Sequence, residues 1–286
     1  MTSGSDPIRL CLQGRLTPEL ALARLLLTGE TAEGIARRVQ AARSPGAGWA
    51  ALARAVEENR AALDRLRGMI DAAGVDHTGT ATPDAVAALY DRAMAVSPEA
   101  SVALYSLGDA DRLAAATAEI VGWLERERLL VPGVDVLDLG CGIGRIAAAV
   151  AGQARSVLGL DVSGGMVREA RRRCGHLPHV RFAVTAGRDL MALPADAFDL
   201  ILSVDSFPYL VQAGVAERHV ADAGRVLRDG GALVILNLSY RADAAADRTD
   251  ALAWCKRYSC TMEQGGISPF RLWDGVAWVF RYRSRA

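Results

Sequence analysis

The sequence predicts an α/β protein: a mostly parallel, seven-stranded sheet with helices on both faces, preceded by an all-helical N-terminal extension. Three observations carry this. Up to Pro132-Gly133 the apolar residues recur at helical spacing. Beyond that point short β-rich runs alternate with amphipathic stretches, the texture of strand–helix–strand units whose strands pair in parallel. The first of those runs ends in a glycine loop that leads at once into an alanine-rich helix. The chain therefore divides into a helical extension and lid over residues 1–130 and a sheet domain over residues 131–286.

Within the extension, Thr17-Pro18-Glu19 starts a helix: a hydroxyl cap, proline where a backbone N–H is not needed, and an acid at the positive end of the dipole. Leu20, Leu22, Leu25 and Leu26 follow, and Gly29 stops it. Thr31 caps a second helix to about Arg43, and Ser44-Pro45-Gly46 breaks it. A third runs from Trp49 to Ile70 on an apolar stripe of Leu52, Val56, Leu63 and Leu66. Residues 74–82, rich in Gly and Thr, read as a linker. Thr82-Pro83 and Ser97-Pro98-Glu99 repeat the start pattern, Tyr105-Ser106-Leu107-Gly108 interrupts, and Asp109 restarts a helix to about Arg128. In the sheet domain, strands are expected at 134–139, 156–160, 180–185, 198–204, 231–238 and 276–283, and helices at 144–152, 163–174, 211–228 and 244–257. Ser259 to Tyr282 carries no clear helix and suggests a closing antiparallel pair.

Composition narrows the function. Of 286 residues, 51% are hydrophobic and 23% charged, and 33 basic residues balance 33 acidic ones. Zero net charge argues against nucleic-acid binding through a basic face. Lys256 is the only lysine and lies in no glycine loop, which excludes a P-loop. Cys11, Cys141, Cys174, Cys255 and Cys260 are scattered and odd in number, so the expectation is reduced thiols, no metal site and a cytoplasmic protein. No signal-peptide pattern precedes Leu10, and the apolar run Leu20–Leu27 is too short to span a bilayer, so no membrane partner is expected. Arg168, Arg171, Arg172 and Arg173 read as a solvated helix face, because no aromatics are interleaved with them.

The strongest motif is Val136-Leu137-Asp138-Leu139-Gly140-Cys141-Gly142-Ile143-Gly144-Arg145. Glycines let the backbone turn tightly and let a ligand touch the main chain. Asp161 follows 17 residues after Gly144, at the tip of the second strand, where a carboxylate can accept both hydroxyls of a ribose. Val162 adjoins it, and Met166 on the next helix can pack against a purine. The acid Asp138, two residues before Gly140, would repel a pyrophosphate but favour an α-amino group. The loop thus favours a cationic amino-acid tail over a dinucleotide.

These residues resemble the class I S-adenosylmethionine-dependent methyltransferases. Asp138, Gly140, Gly142 and Gly144 match that family's first motif, Asp161 its second-strand acid, and Phe198–Leu202 and Ala223–Gly231 its fourth strand and the turn into the fifth. The resemblance spans roughly residues 100–286. It implies a Rossmann-like sheet and S-adenosyl-L-methionine as cofactor, with the first motif on the methionine moiety and Asp161 on the ribose. The family's adenine-binding acid has no clean match. Asp189 is displaced by two or three residues, so backbone at Ala186 and Gly187 is expected to meet adenine.

Ligands bind at the carboxyl ends of strands in such sheets. The fourth strand ends in Asp205-Ser206-Phe207-Pro208-Tyr209 and the fifth in Asn237-Leu238-Ser239-Tyr240. Asp205 can take a proton or hold an amine beside the cofactor, and Phe207 or Tyr209 can face a sulfonium. Asp205, Tyr209 and Asn237 are therefore the catalytic candidates, with Asp205 also expected to touch the cofactor, and Ser206, Phe207, Tyr240 and the lid residue Tyr105 are the acceptor-binding ones. Tyr90 reads equally as helix packing. None of His77, His176, His179 and His219 is expected in the pocket. The reading is a methyltransferase of small-molecule biosynthesis acting on nitrogen or oxygen, with a homodimer through the N-terminal helices as a further possibility. Its rivals are ring closure of the cofactor itself with release of methylthioadenosine, as in azetidine-2-carboxylate formation, a non-catalytic cofactor-binding protein, and a nicotinamide oxidoreductase.

Overall fold

The computed structural model describes residues 6–74 and 82–283. The expected linker, with His77, lies almost wholly outside them. The cap-and-proline patterns become helices where they stand: α2 (Pro18–Leu27), α5 (Pro83–Val96) and the short α6 (Pro98–Val102) follow α1 (Pro7–Leu12), α3 (Ala32–Ala41) and the long α4 (Ala47–Ala73) in this order along the chain. Thr17 Oγ1 accepts the Leu20 N–H at 3.3 Å, Thr82 Oγ1 the Ala85 N–H at 3.2 Å, and Ser97 Oγ the Ala100 N–H at 3.2 Å. Each such cap is worth about 1 kcal/mol. A 3-10 turn, Leu104–Ser106, then leads into α7 (Ala110–Arg126).

The sheet domain holds β1 (Val134–Leu139), α8 (Arg145–Val150), β2 (Ala154–Asp161), α9 (Gly164–Cys174), β3 (Val180–Val184), β4 (Phe198–Val204), α10 (Phe207–Gln212), α11 (Ala216–Val226), β5 (Leu227–Leu236), α12 (Ala244–Tyr258), β6 (Cys260–Ile267) and β7 (Ala277–Tyr282). The seven strands lie in the order β3-β2-β1-β4-β5-β7-β6, and β7 alone runs against its neighbours. Two expected boundaries are corrected. The span 211–228 is two helices, because Gly214 takes φ +69° and ends α10, which itself begins at Phe207-Pro208 where a loop was expected. The fifth strand also starts four residues early, at Leu227.

Alternate strand residues face two separate cores, the period of a strand buried on both sides. Val136, Leu200, Leu202, Val234 and Val279 face one side. Leu137, Ile201, Leu233, Ile235 and Phe280 face the other, under α11 and α12. The first core is continuous with the extension, through Ile120 and Trp123 of α7 to Leu22, Leu25, Ile35 and Leu63. The extension is thereby welded to one face of the sheet. The loop before β7 joins them: Phe270 stacks on Trp273 at 5.3 Å and meets Trp123 edge-on at 5.6 Å. The Glu119 carboxylate accepts the Arg271 and Leu272 N–H groups at 2.8 and 3.0 Å.

Of the arginines on α9, Arg172 and Arg173 pair with Glu169, and Arg173 also reaches Glu99. None of the described helices is long and apolar enough to cross a membrane.

Candidate cofactor and acceptor site

A cavity of about 650 Å³ opens where β1 and β4 part, at the switch point of the strand order. Its floor is backbone. Gly140 and Gly142 take φ +76° and +51°, and a Cβ on Gly140 would stand 2.2 Å from Ser206 Cβ. A Cβ on Gly142 would stand 2.7 Å from Val102 Cγ1. The loop is therefore glycine for two reasons, chain direction and space.

Asp161 forms the next wall. It is only 9% exposed, and its Oδ2 accepts the Gly142 N–H and its Oδ1 the Ser163 N–H, both at 2.9 Å. Burial pushes its carboxyl up, while these backbone donors oppose the shift. Each oxygen retains acceptor capacity, which suits a vicinal diol. Val162, Met166 and Gly187 line the same wall. From above, Asp91 of α5 accepts the Ser163 hydroxyl and, at 3.1 Å, the Gly165 N–H, so the extension reaches the same turn.

Three expected contacts fall elsewhere. Asp138 is 1% exposed and absent from the cavity wall. Its carboxylate accepts the Ala147 N–H at 3.2 Å beneath the loop, and burial lifts it to about 7. It braces the loop instead of facing an amine. Gly144 points away as well: a Cβ there would meet Phe182, Ala170 and Cys174 at 3.0–3.2 Å, so this glycine serves the packing of α9 and β3. Phe207 is fully buried against Trp254, ring centroids 6.0 Å apart. Because α10 begins at Phe207, successive side chains turn to different faces. Ser206, Tyr209 and Leu210 face the cavity and Phe207 faces α12.

At the far side Asp205 gathers the expected residues. Its Oδ1 accepts the Asn237 side-chain N–H at 2.9 Å and the Tyr240 hydroxyl at 3.0 Å. Burial raises its carboxyl, opposed by these two donors. Asp205 and Asn237 both sit at positive φ, 60° and 70°, where Asp and Asn are the tolerated side chains. Asn237 is fixed in turn by Val276, whose N–H donates to its Oδ1 at 2.9 Å. The Tyr209 ring lies edge-on between Tyr240 at 5.6 Å and Tyr90 at 5.5 Å. Burial pushes the Tyr209 phenol up to about 12. Tyr105 lines the cavity beside Trp273, and its hydroxyl, buried, has no hydrogen-bond partner among the described residues.

The roof was only partly legible. Leu20, Leu27, Met69, Ile70, Leu89 and Leu104 line it, with one ion pair, Arg24–Asp274 at 2.6 Å. Tyr90 belongs to the site. So does His219, which was expected at the surface but is 2% exposed and on the cavity wall. The spacing Ala216, His219, Val220, Ala223 places it on the inward stripe of α11, which was the available clue.

Residues 136–231 match the methyltransferase domain family. The domain belongs to the class I S-adenosylmethionine-dependent methyltransferases. Its cofactor is S-adenosylmethionine, and the glycine floor that a Cβ would fill and the buried Asp161 carboxylate suit that group. The chain is 34% identical over 108 residues to the demethylmenaquinone methyltransferase of Tropheryma whipplei, covering 38% of this chain and 43% of that one. It is 30% identical over 134 residues to an S-adenosyl-L-methionine-dependent Diels-Alderase of Talaromyces variabilis, covering 46% and 44%. The chain thus spans under half the length of either relative. Among solved structures, phosphoethanolamine N-methyltransferase 1 of Haemonchus contortus superposes with a TM-score of 0.51 at 17% identity, over 71% of this chain and 49% of that one, a likeness of fold.

Proposed function

We propose that this methyltransferase domain and its helical extension together methylate an apolar small molecule at oxygen or nitrogen. The observation that carries the reading is the course of the cavity. It continues past the glycine floor and Asp161 into a chamber whose roof is aliphatic apart from the Arg24–Asp274 pair, and at the junction the Asp205 carboxylate is held by Asn237 and Tyr240. An acceptor with an apolar body and a single polar atom satisfies both parts.

In this reading the backbone of Gly140 and Gly142 holds the methionyl portion, Asp161 the ribose, and Val162, Met166 and Gly187 the purine. The cofactor supplies an activated methyl group, so the difficult chemistry is its own. The protein's share is alignment, worth about 7–11 kcal/mol when complete, and exclusion of water by the roof. Asp205 accepts the proton of the acceptor hydroxyl or ammonium. Its raised proton affinity helps that task, and Asn237 and Tyr240 aim the carboxylate. The quinone substrate in the name of the Tropheryma relative is of the same apolar kind.

Mass spectrometry tests this. S-adenosylhomocysteine formed only when an apolar phenol or hydroxyquinone is added supports methyl transfer. Methylthioadenosine released with cofactor alone supports ring closure of the cofactor, and no turnover with a broad panel supports a binding protein.

A further inference from the structure

Among the described residues no acid between β3 and β4 lines the cavity, so none there meets the adenine amino group. Asp189, the nearest, is off the cavity wall: its Oδ1 accepts the Met191 N–H at 3.2 Å and its Oδ2 faces Arg218 at 3.7 Å. Asp222 is likewise committed, accepting the Leu190 N–H at 2.8 Å. Something else must accept there if the amino group is to be recognised by a side chain.

His219 meets the requirement. Its Nδ1 lies 3.0 Å from the Val215 carbonyl oxygen, which can only accept, so Nδ1 carries the proton and donates. Nε2 is then an acceptor, buried and without a partner among the described residues. A buried acceptor without a donor is a costly state that a ligand's N–H relieves. The charged groups facing the ring are Asp222, Asp189 and Arg218, and burial holds its pKa below the ordinary value, which keeps it neutral. The ring shares its cavity with Val162 and Gly187, and with Leu210 and Ala213 of and just after α10.

We propose that His219 Nε2 accepts the amino hydrogen of the cofactor's adenine and so sets the preference for an adenosyl over an inosyl ligand. The proposal rests on the cofactor reading above and concerns recognition only. It is tested by calorimetry with S-adenosylhomocysteine and S-inosylhomocysteine, in which a carbonyl replaces the amino group. The protein should prefer the adenosyl ligand by about 10-fold or more. His219→Leu should weaken the adenosyl ligand by about that factor, leave the inosyl ligand nearly unchanged, and so erase the preference. His219→Gln, which restores an acceptor, should recover part of it. A His219→Leu variant that keeps the full preference overturns the proposal. So does an unaltered protein that binds both ligands equally, a result independent of whether the variants fold. A nitrogen-15 spectrum of the unaltered protein adds a second readout: Nδ1–H and bare Nε2 are expected, and the opposite tautomer overturns the assignment. Failure to bind S-adenosylhomocysteine at all would strike the cofactor reading instead.

Discussion

The two ends of the cavity are made of different material. The end proposed for the cofactor is mostly local: the glycine floor, Asp161 and Met166 fall between β1 and the first turn of α9, and Gly187 and His219 are added from the loop after β3 and from α11. The acceptor end is side chain and dispersed. Tyr90 and Tyr105 come from the extension, Asp205 and Tyr209 from the end of β4, Asn237 and Tyr240 from the end of β5. A main-chain site tolerates few substitutions but is shared by any protein with the loop. A side-chain site can be rebuilt residue by residue, and in the reading proposed above that is where one acceptor is told from another.

This contrast can be broken at several points. The largest effect is expected at the dispersed end. Asp205→Ala should lower kcat/KM by about 10²–10⁴-fold while S-adenosylhomocysteine affinity, read by calorimetry, changes only a few-fold; a parallel loss of affinity would merge the two ends into one. At the local end, Gly140→Ala must place a methyl 2.2 Å from Ser206 Cβ at a φ of +76°, at a cost of about 2–4 kcal/mol in stability and loop geometry. Binding of S-adenosylhomocysteine should fail, and near-normal binding would show that the floor is not this backbone.

A third prediction concerns pH. The Asp138 carboxyl titrates at about 7 in the folded chain and at 3.8 ordinarily, because burial penalises its charge. Its protonated form is the one the fold favours. The stability it contributes is present in full below pH 4 and is lost as pH rises toward 7, by up to about 1.4 kcal/mol per pH unit crossed. Denaturant titrations of the unaltered protein and Asp138→Asn should therefore diverge as pH rises from about 4 to 7, the variant staying flat by comparison. Parallel curves would mean that Asp138 is hydrated. The smallest effect is Asp161→Ala, which should weaken S-adenosylhomocysteine by about 1–3 kcal/mol; unchanged affinity would reject the ribose assignment.

The same contrast explains what could be read in advance. The strand–helix alternation, the glycine loop and Asp161 are local patterns, and each stands where the spacing put it. Asp205, Tyr209, Asn237 and Tyr240 line the cavity at strand ends, where such sheets bind ligands. What failed was orientation. Asp138 and Gly144 belong to the motif, yet the turn aims one beneath the loop and the other at α9. Phe207 lies among cavity residues and still turns to Trp254, because a helix begins there that the chain was not expected to form. His219 stands beside the polar Glu217 and Arg218 in the chain, and only the turn-to-turn stripe on α11 places it inward. The aliphatic roof is set by how α2, α4 and α5 cross, which a helical period does not encode.

Asp91 gives the roof a thermodynamic role. It holds Ser163 and Gly165, and the Ser163 N–H holds Asp161. The roof helix and the Asp161 carboxylate are thus two hydrogen bonds apart. By linkage, whatever free energy a closed α5 lends to a ligand on Asp161, that ligand returns to the closing of α5. Ligand affinity at one end of the cavity and the seating of the roof over the other are, in the reading proposed above, coupled through that short chain of bonds.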